Sequence, residues 1–221
     1  KGRELLQSMK TLSEYIHHCI YSGENVWIAQ REGRAKDGID RTDPALLKML
    51  SMAKRELKLS GSLNALHIVP VSISYEYDAC DVLKARELCE IEKHGSFTKT
   101  DESDITSIVT GMIGFKGNVH VAFGEELNLG TDDPDEIAAI VDEQIIGNYQ
   151  LNKTNYLALE HLKKDGLSLP HRILSLVEGE DISASARLKF ERRLESVDVG
   201  LRKHWLFNYA NPVLNKLGVI K

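Results

Sequence analysis

The stretch from Val26 to Arg34 reads Val-Trp-Ile-Ala-Gln-Arg-Glu-Gly-Arg, and the fold prediction depends on it. Its first four residues, Val26 to Ala29, are apolar and rich in β-branched and aromatic types, which predicts a short buried strand. A loop follows, with Arg31, Arg34 and Lys36 around two glycines. Arginine offers a planar fork of donors that suits phosphate oxygens, and glycine lets a ligand approach the backbone closely. The residues alone fit an anion-binding loop and a solvated surface connection equally well.

Two more strands are predicted, at residues 67–75 and 118–123, where apolar and polar residues alternate. Pro70 cannot donate to a ladder, so it should mark a strand start, an edge or a bulge. Helical patterns separate the strands, and one helix should begin at Thr42-Asp43-Pro44, with Asp43 as the N-cap. This alternation predicts an α/β fold with a mixed, mostly parallel β-sheet flanked by helices.

The composition changes after Asp132-Asp133-Pro134, and every element predicted beyond it is helical. The sequence therefore predicts an α/β core over residues 1–131 and an all-helical C-terminal region over residues 132–221. Within these regions, Ser60-Gly61-Ser62 should end a helix and Pro212 should break the last one. The chain starts at Lys1 with a helical pattern almost at once, so we expect a piece of a longer protein that lacks its N-terminal part.

The composition is that of an ordinary soluble domain, with 221 residues, 42% hydrophobic and 28% charged. A net charge of −5 argues against general nucleic-acid binding. Cys19, Cys80 and Cys89 form no Cys-x-x-Cys pair, which is typical of reduced thiols in the cytoplasm. The eight histidines show no metal-ligand spacing, so we expect no metal site. The sequence also lacks a dinucleotide-binding or Walker glycine loop and a Gly-x-Ser-x-Gly elbow.

Two segments resemble the glycerolipid acyltransferases that act on glycerol 3-phosphate and lysophosphatidic acid. Glu32-Gly33-Arg34 after an apolar run looks like the third motif of that family, written Glu-Gly-x-Arg or Glu-Gly-Gly-Arg-Ser-Arg. The segment Ile-Val-Pro-Val-Ser-Ile at residues 68–73 looks like the fourth motif. The longer sequences around both segments are similar to those of bacterial proteins called glycerol acyltransferases. The resemblance covers roughly residues 1 to 130 and extends less securely into the C-terminal helices.

Two features depart from the family pattern. Gly33 and Arg34 are adjacent, so aligning Arg34 with the motif arginine puts Arg31 where the glutamate would be, and Glu32 falls one position late. The catalytic His-x-x-x-x-Asp motif is absent, because no histidine here is followed by aspartate at that spacing. In the family this motif lies upstream of the third motif. The resemblance therefore implies that this chain carries no catalytic residue and would be inactive alone.

The resemblance implies an enzyme of phospholipid synthesis. It would move a fatty acyl group from an acyl thioester, acyl-CoA or acyl carrier protein, to a glycerol-phosphate-type acceptor. Arg34 and Lys36 would bind the substrate phosphate, with Arg31 as an additional contact, Gly33 allowing close approach and Glu32 orienting Arg34. Pro70 would line the site. The family uses no cofactor, and its substrates imply a cytoplasmic enzyme in peripheral contact with the inner membrane surface.

Two other functions remain open from the sequence. The chain could be a non-catalytic module that binds an anionic lipid or a phosphometabolite through the same loop. It could also be an unrelated α/β enzyme in which the loop is a surface turn. A His-x-x-x-x-Asp motif upstream of Lys1 in a longer parent would favour the acyltransferase.

Overall fold

The computed structural model describes residues 2–31, 35–98 and 100–220, and the chain is 60% helical. The α-helices of these residues are α1 (Gly2–Tyr21), α2 (Pro44–Leu50), α3 (Leu59–Asn64), α4 (Asp81–His94), α5 (Asp101–Ile113), α6 (Pro134–Gly147), α7 (Lys153–Lys164), α8 (His171–Gly179), α9 (Ala184–Glu195) and α10 (Arg202–Lys216). Short 3-10 turns lie at Ser51–Ala53 and Val199–Leu201. The strands are β1 (Val71–Tyr75) and β2 (Val119–Phe123).

The predicted mixed, mostly parallel sheet is wrong. In the described residues the sheet consists of β1 and β2 alone, and the two strands run antiparallel. Both strands lie where the alternating pattern predicted them, and Pro70 directly precedes β1, as expected for a residue without an N–H. The Gly124 N–H donates to the Pro70 carbonyl at 2.8 Å, which extends the pairing past the start of β1. Because the third predicted strand does not form and the sheet has only two strands, the fold class is mostly helical.

The strand predicted at residues 26–29 is absent, and this segment has no regular secondary structure. Val26, Trp27 and Ile28 are exposed, with Trp27 at 69%. An apolar run indicates that a segment favours burial, but a strand also needs a neighbour for its backbone N–H and C=O groups. No part of the described chain pairs with residues 26–29 in a ladder.

The chain divides into two compact units. Unit 1 comprises residues 1–34, 40–72 and 122–148, and unit 2 comprises residues 35–39, 73–121 and 149–221. The boundary predicted between residues 131 and 132 lies inside the last segment of unit 1. As a statement about domains it stays a prediction.

The core of unit 1 is formed by α1, α2, α3 and α6 with the segment before α6. Two polar side chains on the buried face of α1 bind the end of α2. Ser13 Oγ donates to the Leu50 carbonyl at 2.7 Å, and His17 Nε2 lies 3.1 Å from the same oxygen. Helix C-termini leave carbonyls without partners inside the helix, so these contacts satisfy a group that packing would otherwise bury unpaired. The buried apolar residues are Ile16, Leu47, Met49, Leu50, Leu63, Leu66, Leu127, Leu129, Ile137, Ala138, Val141 and Ile145.

In unit 1, α2 and α6 begin at N-cap residues that the sequence shows, whereas α3 forms where the sequence predicted the end of a helix. Asp43 caps α2 and Asp133 caps α6, each followed by proline at the first helical position. The segment Ser60-Gly61-Ser62, predicted to end a helix, instead lies inside α3. There Asp132 accepts hydrogen bonds from the N–H and the hydroxyl of Ser60, at 3.0 and 2.7 Å. A carboxylate from a distant part of the chain thus supports the first turn of this helix.

The core of unit 2 is built around α10, which packs against α7 and α4. Its centre is an aromatic cluster in which the Trp205 ring lies 5.2 Å from Phe190 and 4.8 Å from Tyr209. The break predicted at Pro212 does not occur, because α10 continues through it to Lys216. Residues 205–206 and 208–214 are buried, so packing along the helix offsets the hydrogen bond that the proline removes.

No helix in the described part of the chain is both long enough and apolar enough to cross a lipid bilayer.

Candidate functional site

The segment of residues 31–39, which we call the basic loop, contains the predicted phosphate-binding residues Arg31, Glu32, Gly33, Arg34 and Lys36. Glu32, Gly33 and Arg34 lie outside the described residues. Arg31 is exposed and makes no hydrogen bond or ion pair with the described part of the chain. Residues 31–34 belong to unit 1 and residues 35–39 to unit 2.

In unit 1 the two ends of the basic loop are joined by a group of hydrogen bonds, which we call the loop neck (Gln30, Asp40, Thr42 and Asp43). The Asp43 N–H donates to the Gln30 carbonyl at 2.9 Å. The Gln30 amide nitrogen donates to Asp40 Oδ1 at 3.3 Å, and the Gln30 amide oxygen lies 3.3 Å from the Thr42 hydroxyl oxygen. These bonds bring the residues that flank the loop together within unit 1.

The loop neck is anchored to α6 through Thr42 and Asp142. Thr42 is buried, and both its N–H and its hydroxyl donate to Asp142 Oδ1, at 2.7 and 2.6 Å. Burial raises the pKa of Asp142, although the hydrogen bonds from Thr42 and the charge of Arg41 act in the opposite direction. The neck is therefore tied to a helix by an aspartate whose charged form is disfavoured by burial.

In unit 2, Lys36 forms an ion pair with Glu87 of α4. The side chains are largely buried, with 25% of Lys36 and 15% of Glu87 exposed. A predicted phosphate contact by Lys36 would have to share this ammonium with a carboxylate that already binds it. Within the basic loop, the described cation without such a partner is Arg31.

Gly38 lies against α10 in a position that only glycine can occupy. Its φ angle is +76°, and a Cβ built on it would lie 2.2 Å from the carbonyl oxygen of Asn208 and 3.1 Å from Cδ of Pro212. The side chain of Asn211 donates to the Asp37 carbonyl at 2.8 Å. We call these contacting residues the loop seat (Glu87, Asn208, Asn211 and Pro212).

Pro70, predicted to line the site, is buried in unit 1 and its carbonyl pairs with Gly124. This hydrogen bond gives Pro70 a structural role at the start of β1. A role in lining a substrate site stays a prediction.

Unit 2 also contains a buried polar network that the sequence analysis did not identify. Asp81, only 1% exposed, accepts from the Tyr209 hydroxyl at 2.6 Å and from Arg193 Nε at 2.9 Å through the same oxygen. Its other oxygen accepts from the Val82 N–H at 2.7 Å. The Asp78 N–H donates to the Tyr209 oxygen at 3.1 Å. The network joins α4, α9 and α10, and Asp81 lies more than a hundred residues from Arg193 and from Tyr209 in sequence, so no local pattern could reveal it.

The ionisation of this network follows from its burial and charges. Burial, with the negative charge of Asp81 adding to it, raises the pKa of Tyr209 well above its ordinary value, so Tyr209 remains a donor. Burial would raise the pKa of Asp78, but the charge of Lys84 and hydrogen bonds to Lys84, Cys80 and Asn208 together lower it. Both oxygens of Asp81 are occupied by donors, which suits a structural support better than proton transfer.

The described residues show no metal centre, and the groove found in unit 2 is open to solvent. They contain no group of three or more His, Cys, Asp or Glu side chains that could hold a metal ion. An open groove of about 440 Å³ in unit 2 is lined by residues of both charges, including Arg86, Glu195, Asp198 and Arg202. The Arg202 guanidinium there donates to the carbonyls of Val197 and Glu195, so it is not available to an anion without losing these bonds.

No protein-family model, no curated protein and no solved structure matches this chain. The resemblance to glycerolipid acyltransferases therefore rests on the two segments quoted from the sequence.

Proposed function

We propose that this chain carries the phosphate-binding part of a glycerolipid acyltransferase. The enzyme would transfer a fatty acyl group from acyl-CoA or acyl carrier protein to a glycerol-phosphate-type acceptor. The observation that supports the proposal most is the construction of the basic loop. In unit 1 the residues that flank the loop meet at the loop neck and Arg31 is exposed. In unit 2, taken by itself, Gly38 lies at the loop seat.

The chemistry of an acyl transfer explains why such a loop is useful. The acceptor hydroxyl must be held near a general base and an acyl thioester, and binding the acceptor's phosphate at a fixed point restricts where the hydroxyl can lie. Arginine suits this task because its fork can donate two parallel hydrogen bonds to one phosphate. In our proposal Arg31 and Arg34 make these contacts, and Lys36 contributes only as far as its pairing with Glu87 allows.

A specific feature of the sequence favours a second candidate. None of the 221 residues forms the His-x-x-x-x-Asp motif that would supply the general base. A module that binds an anionic lipid or a phosphometabolite without catalysis would need the basic loop and not the motif. Both functions predict phosphate binding, and acyl transfer by a longer parent protein would separate them.

The cellular location belongs to the proposal as well. The substrates of a glycerolipid acyltransferase lie at a membrane surface, so we propose a cytoplasmic protein that contacts the inner face of the membrane peripherally. The exposed apolar residues Val26, Trp27 and Ile28, directly before the basic loop, are compatible with such contact.

The test compares three arginine variants of the 221-residue chain for binding of glycerol 3-phosphate by calorimetry. Arg34→Ala should weaken binding by at least about 30-fold, corresponding to about 2 kcal/mol, because it removes both the charge and the fork. Arg34→Lys should recover only part of the affinity. Arg55→Ala is the matched control, since Arg55 is an exposed arginine of unit 1 with no partner in the described chain.

Wild-type affinity in Arg34→Ala would remove the phosphate role of this residue. An equal loss in Arg34→Ala and Arg55→Ala would reduce the effect to overall charge, and the interpretation of the loop as a surface turn would stand. The free energy of unfolding should change by no more than about 0.5 kcal/mol in each variant, as is usual for surface positions.

A further inference from the structure

Helix α5 of unit 2 exposes its apolar side chains to solvent. Four of them recur at the i, i+3, i+4 and i+7 spacing that places side chains on one face of a helix. We call them the α5 stripe, and they are exposed by 63% at Ile105, 51% at Ile108, 46% at Val109 and 75% at Met112. None of the residues of α5 is buried. An amphipathic helix usually buries such a stripe against its own domain, so the α5 stripe is available to a partner.

The opposite face of α5 lies against the residues that precede α4. The half-buried residues of the helix are all small: Ser103, Ser107, Thr110 and Gly111. Cys80 Sγ donates to the carbonyl of Ser107 at 3.4 Å. A Cβ built on Gly114, the C-cap of α5, would lie 2.7 Å from the Cβ of Ala79. Unit 2 therefore holds α5 by the face with the small residues and leaves the α5 stripe outside.

The two ends of α5 carry charges of opposite sign. Asp101 and Glu102 begin the helix on the same face as the α5 stripe, because residues three and four positions apart share a face. At the other end, the ammonium of Lys116 donates to the carbonyls of Met112 and Gly114, at 3.3 and 3.0 Å. The exposed apolar surface thus has an acidic border at its start and a basic one at its end.

We propose that α5 mediates a symmetric dimer of this chain, in which the α5 stripes of two protomers pack against each other in antiparallel orientation. Ile108 and Val109 then lie at the two-fold axis, and Ile105 of one protomer faces Met112 of the other. The dimer is independent of phosphate binding and of acyl transfer.

The charges at the ends of α5 favour the antiparallel orientation. In this arrangement the acidic residues Asp101 and Glu102 of each protomer lie beside Lys116 of the other, and the two helix dipoles point in opposite directions. A parallel pair would instead bring the two acidic ends together, which is unfavourable. A second copy of the chain therefore complements this surface in both polarity and charge.

The same charges disfavour a lipid surface as the occupant. Helices that lie in a membrane interface carry lysine and arginine, which attract anionic lipids. The sequence of α5 contains no lysine, arginine or histidine, and its first turn contains three acidic residues. Lys99, before the N-cap, lies outside the described residues. An anionic lipid surface would repel the acidic start of this helix.

The size of the surface indicates a weak dimer. A helix of 13 residues is about 20 Å long, and Ile113 and Phe115, both exposed, continue the apolar surface at its end. One pair of such helices buries less than the roughly 1,600 Å² of a standard protein interface. We therefore expect a dimer that dissociates on dilution.

The experiment measures the mass of the 221-residue chain by sedimentation over about a hundredfold range of concentration. The mass of wild type should rise from 24.8 kDa, the value for one chain, towards twice this value. Ile108→Glu should weaken the dimer at least about tenfold, because it places two carboxylates beside the two-fold axis. Since Ile108 is half exposed, thermal unfolding of this variant at low concentration should match that of wild type.

Leu188→Glu is the matched control. Leu188 lies on α9 of unit 2 and is exposed by 51%, as is Ile108, so the control adds the same charge at the same exposure. It should associate as wild type does. A wild-type chain that stays monomeric, or an equal loss of association in both variants, would overturn the proposal.

Cysteine variants test the orientation in a chain that carries Cys19→Ser. Like positions at 105 or at 112 would lie about 10 Å apart along an antiparallel pair, beyond the reach of a disulfide. Oxidation of a mixture of Ile105→Cys and Met112→Cys chains should therefore give linked dimers, and oxidation of either chain alone should not. Linked dimers from each chain alone, with none gained in the mixture, would overturn the antiparallel pair.

A vesicle assay decides between a second copy and a lipid surface. Wild type, Ile108→Glu and Leu188→Glu are sedimented with vesicles of phosphatidylcholine and phosphatidylglycerol. If the α5 stripe serves the dimer, the two variants should not differ in the amount of chain that the vesicles carry down. Vesicle binding that Ile108→Glu loses and Leu188→Glu keeps would assign the stripe to lipid and overturn the dimer.

Discussion

The change Tyr209→Phe tests the buried polar network of unit 2. The tyrosine hydroxyl donates to the carboxylate of Asp81 at 2.6 Å and accepts from the Asp78 N–H at 3.1 Å, and the residue is 3% exposed. Phenylalanine keeps the ring in the cluster with Trp205 and removes only these two bonds. A hydrogen bond to a charged group contributes about 1.5–3 kcal/mol and a neutral one about 0.5–1.5 kcal/mol. We therefore expect the free energy of unfolding to fall by about 2–4 kcal/mol.

The assay is equilibrium unfolding in urea, followed by tyrosine and tryptophan signals. Tyr156→Phe is the matched control, because it removes a half-buried hydroxyl of unit 2 that makes no hydrogen bond in the described chain. The control should change stability by no more than about 0.5 kcal/mol. A Tyr209→Phe chain as stable as the control would show that the network does not hold α4 to α10.

The pH dependence gives an independent check of the same residue. The folded-state pKa of Tyr209 is raised, first by burial and then by Asp81. A group of this kind contributes stability that is fully present below its unfolded pKa, ordinarily 10.0, and is lost as pH rises towards the raised folded pKa. Wild type should therefore lose stability steeply above about pH 10, and Tyr209→Phe should lose less over the same range. Parallel alkaline curves for the two chains would contradict this assignment.

Two further predictions concern catalysis and the loop neck. The 221-residue chain should not transfer acyl groups from labelled acyl-CoA to glycerol 3-phosphate, because it lacks the His-x-x-x-x-Asp base; turnover well above the uncatalysed rate would show that a base lies within it. Burial raises the folded pKa of Asp142, so its contribution to stability is present below its unfolded pKa, ordinarily 3.8, and is lost as pH rises through the raised value. The asparagine in Asp142→Asn can still accept from Thr42 but carries no charge. Its free energy of unfolding in urea, relative to that of wild type, should therefore increase from acid to neutral pH. A difference between the two chains that does not depend on pH would contradict the assignment.

Local signals were sufficient for much of the secondary structure. Asp43 and Asp133, each before a proline, predicted the starts of α2 and α6, and alternation predicted β1 and β2. These features depend on residues a few positions apart, which is the range that a sequence pattern can report. The helical nature of residues 134–216 was predicted for the same reason.

The predictions that failed depend on distant residues. The apolar run at residues 26–29 suggested a strand, but strand formation requires a partner that the described chain does not supply. The helix through Ser60-Gly61-Ser62 is supported by Asp132, and α10 continues through Pro212 because its neighbours bury it. The order of helices and strands suggested parallel pairing, whereas the two strands that form pair directly and antiparallel.

The candidate site was predicted only in part. The sequence indicated the basic loop, because arginines and glycines cluster there after an apolar run. It could not indicate the loop neck or the loop seat, since Thr42 meets Asp142 across 100 residues and Asp37 meets Asn211 across 174. Nor could it show that Lys36 pairs with Glu87, which limits the part that Lys36 can take in phosphate binding.

The most direct test of the central claim observes the arginines themselves during ligand binding. In a chain with isotope-labelled arginine, the side-chain Nε–Hε signals of Arg31 and Arg34 are followed by NMR during titration with glycerol 3-phosphate and, separately, with glycerol. If the basic loop binds the phosphate, the signals of Arg31 and Arg34 should move downfield and saturate during titration with glycerol 3-phosphate. Both signals should remain unchanged with glycerol. The Arg55 signal should remain unchanged in both titrations. Signals of Arg31 and Arg34 that do not respond to glycerol 3-phosphate, or that move no more than that of Arg55, would contradict the claim.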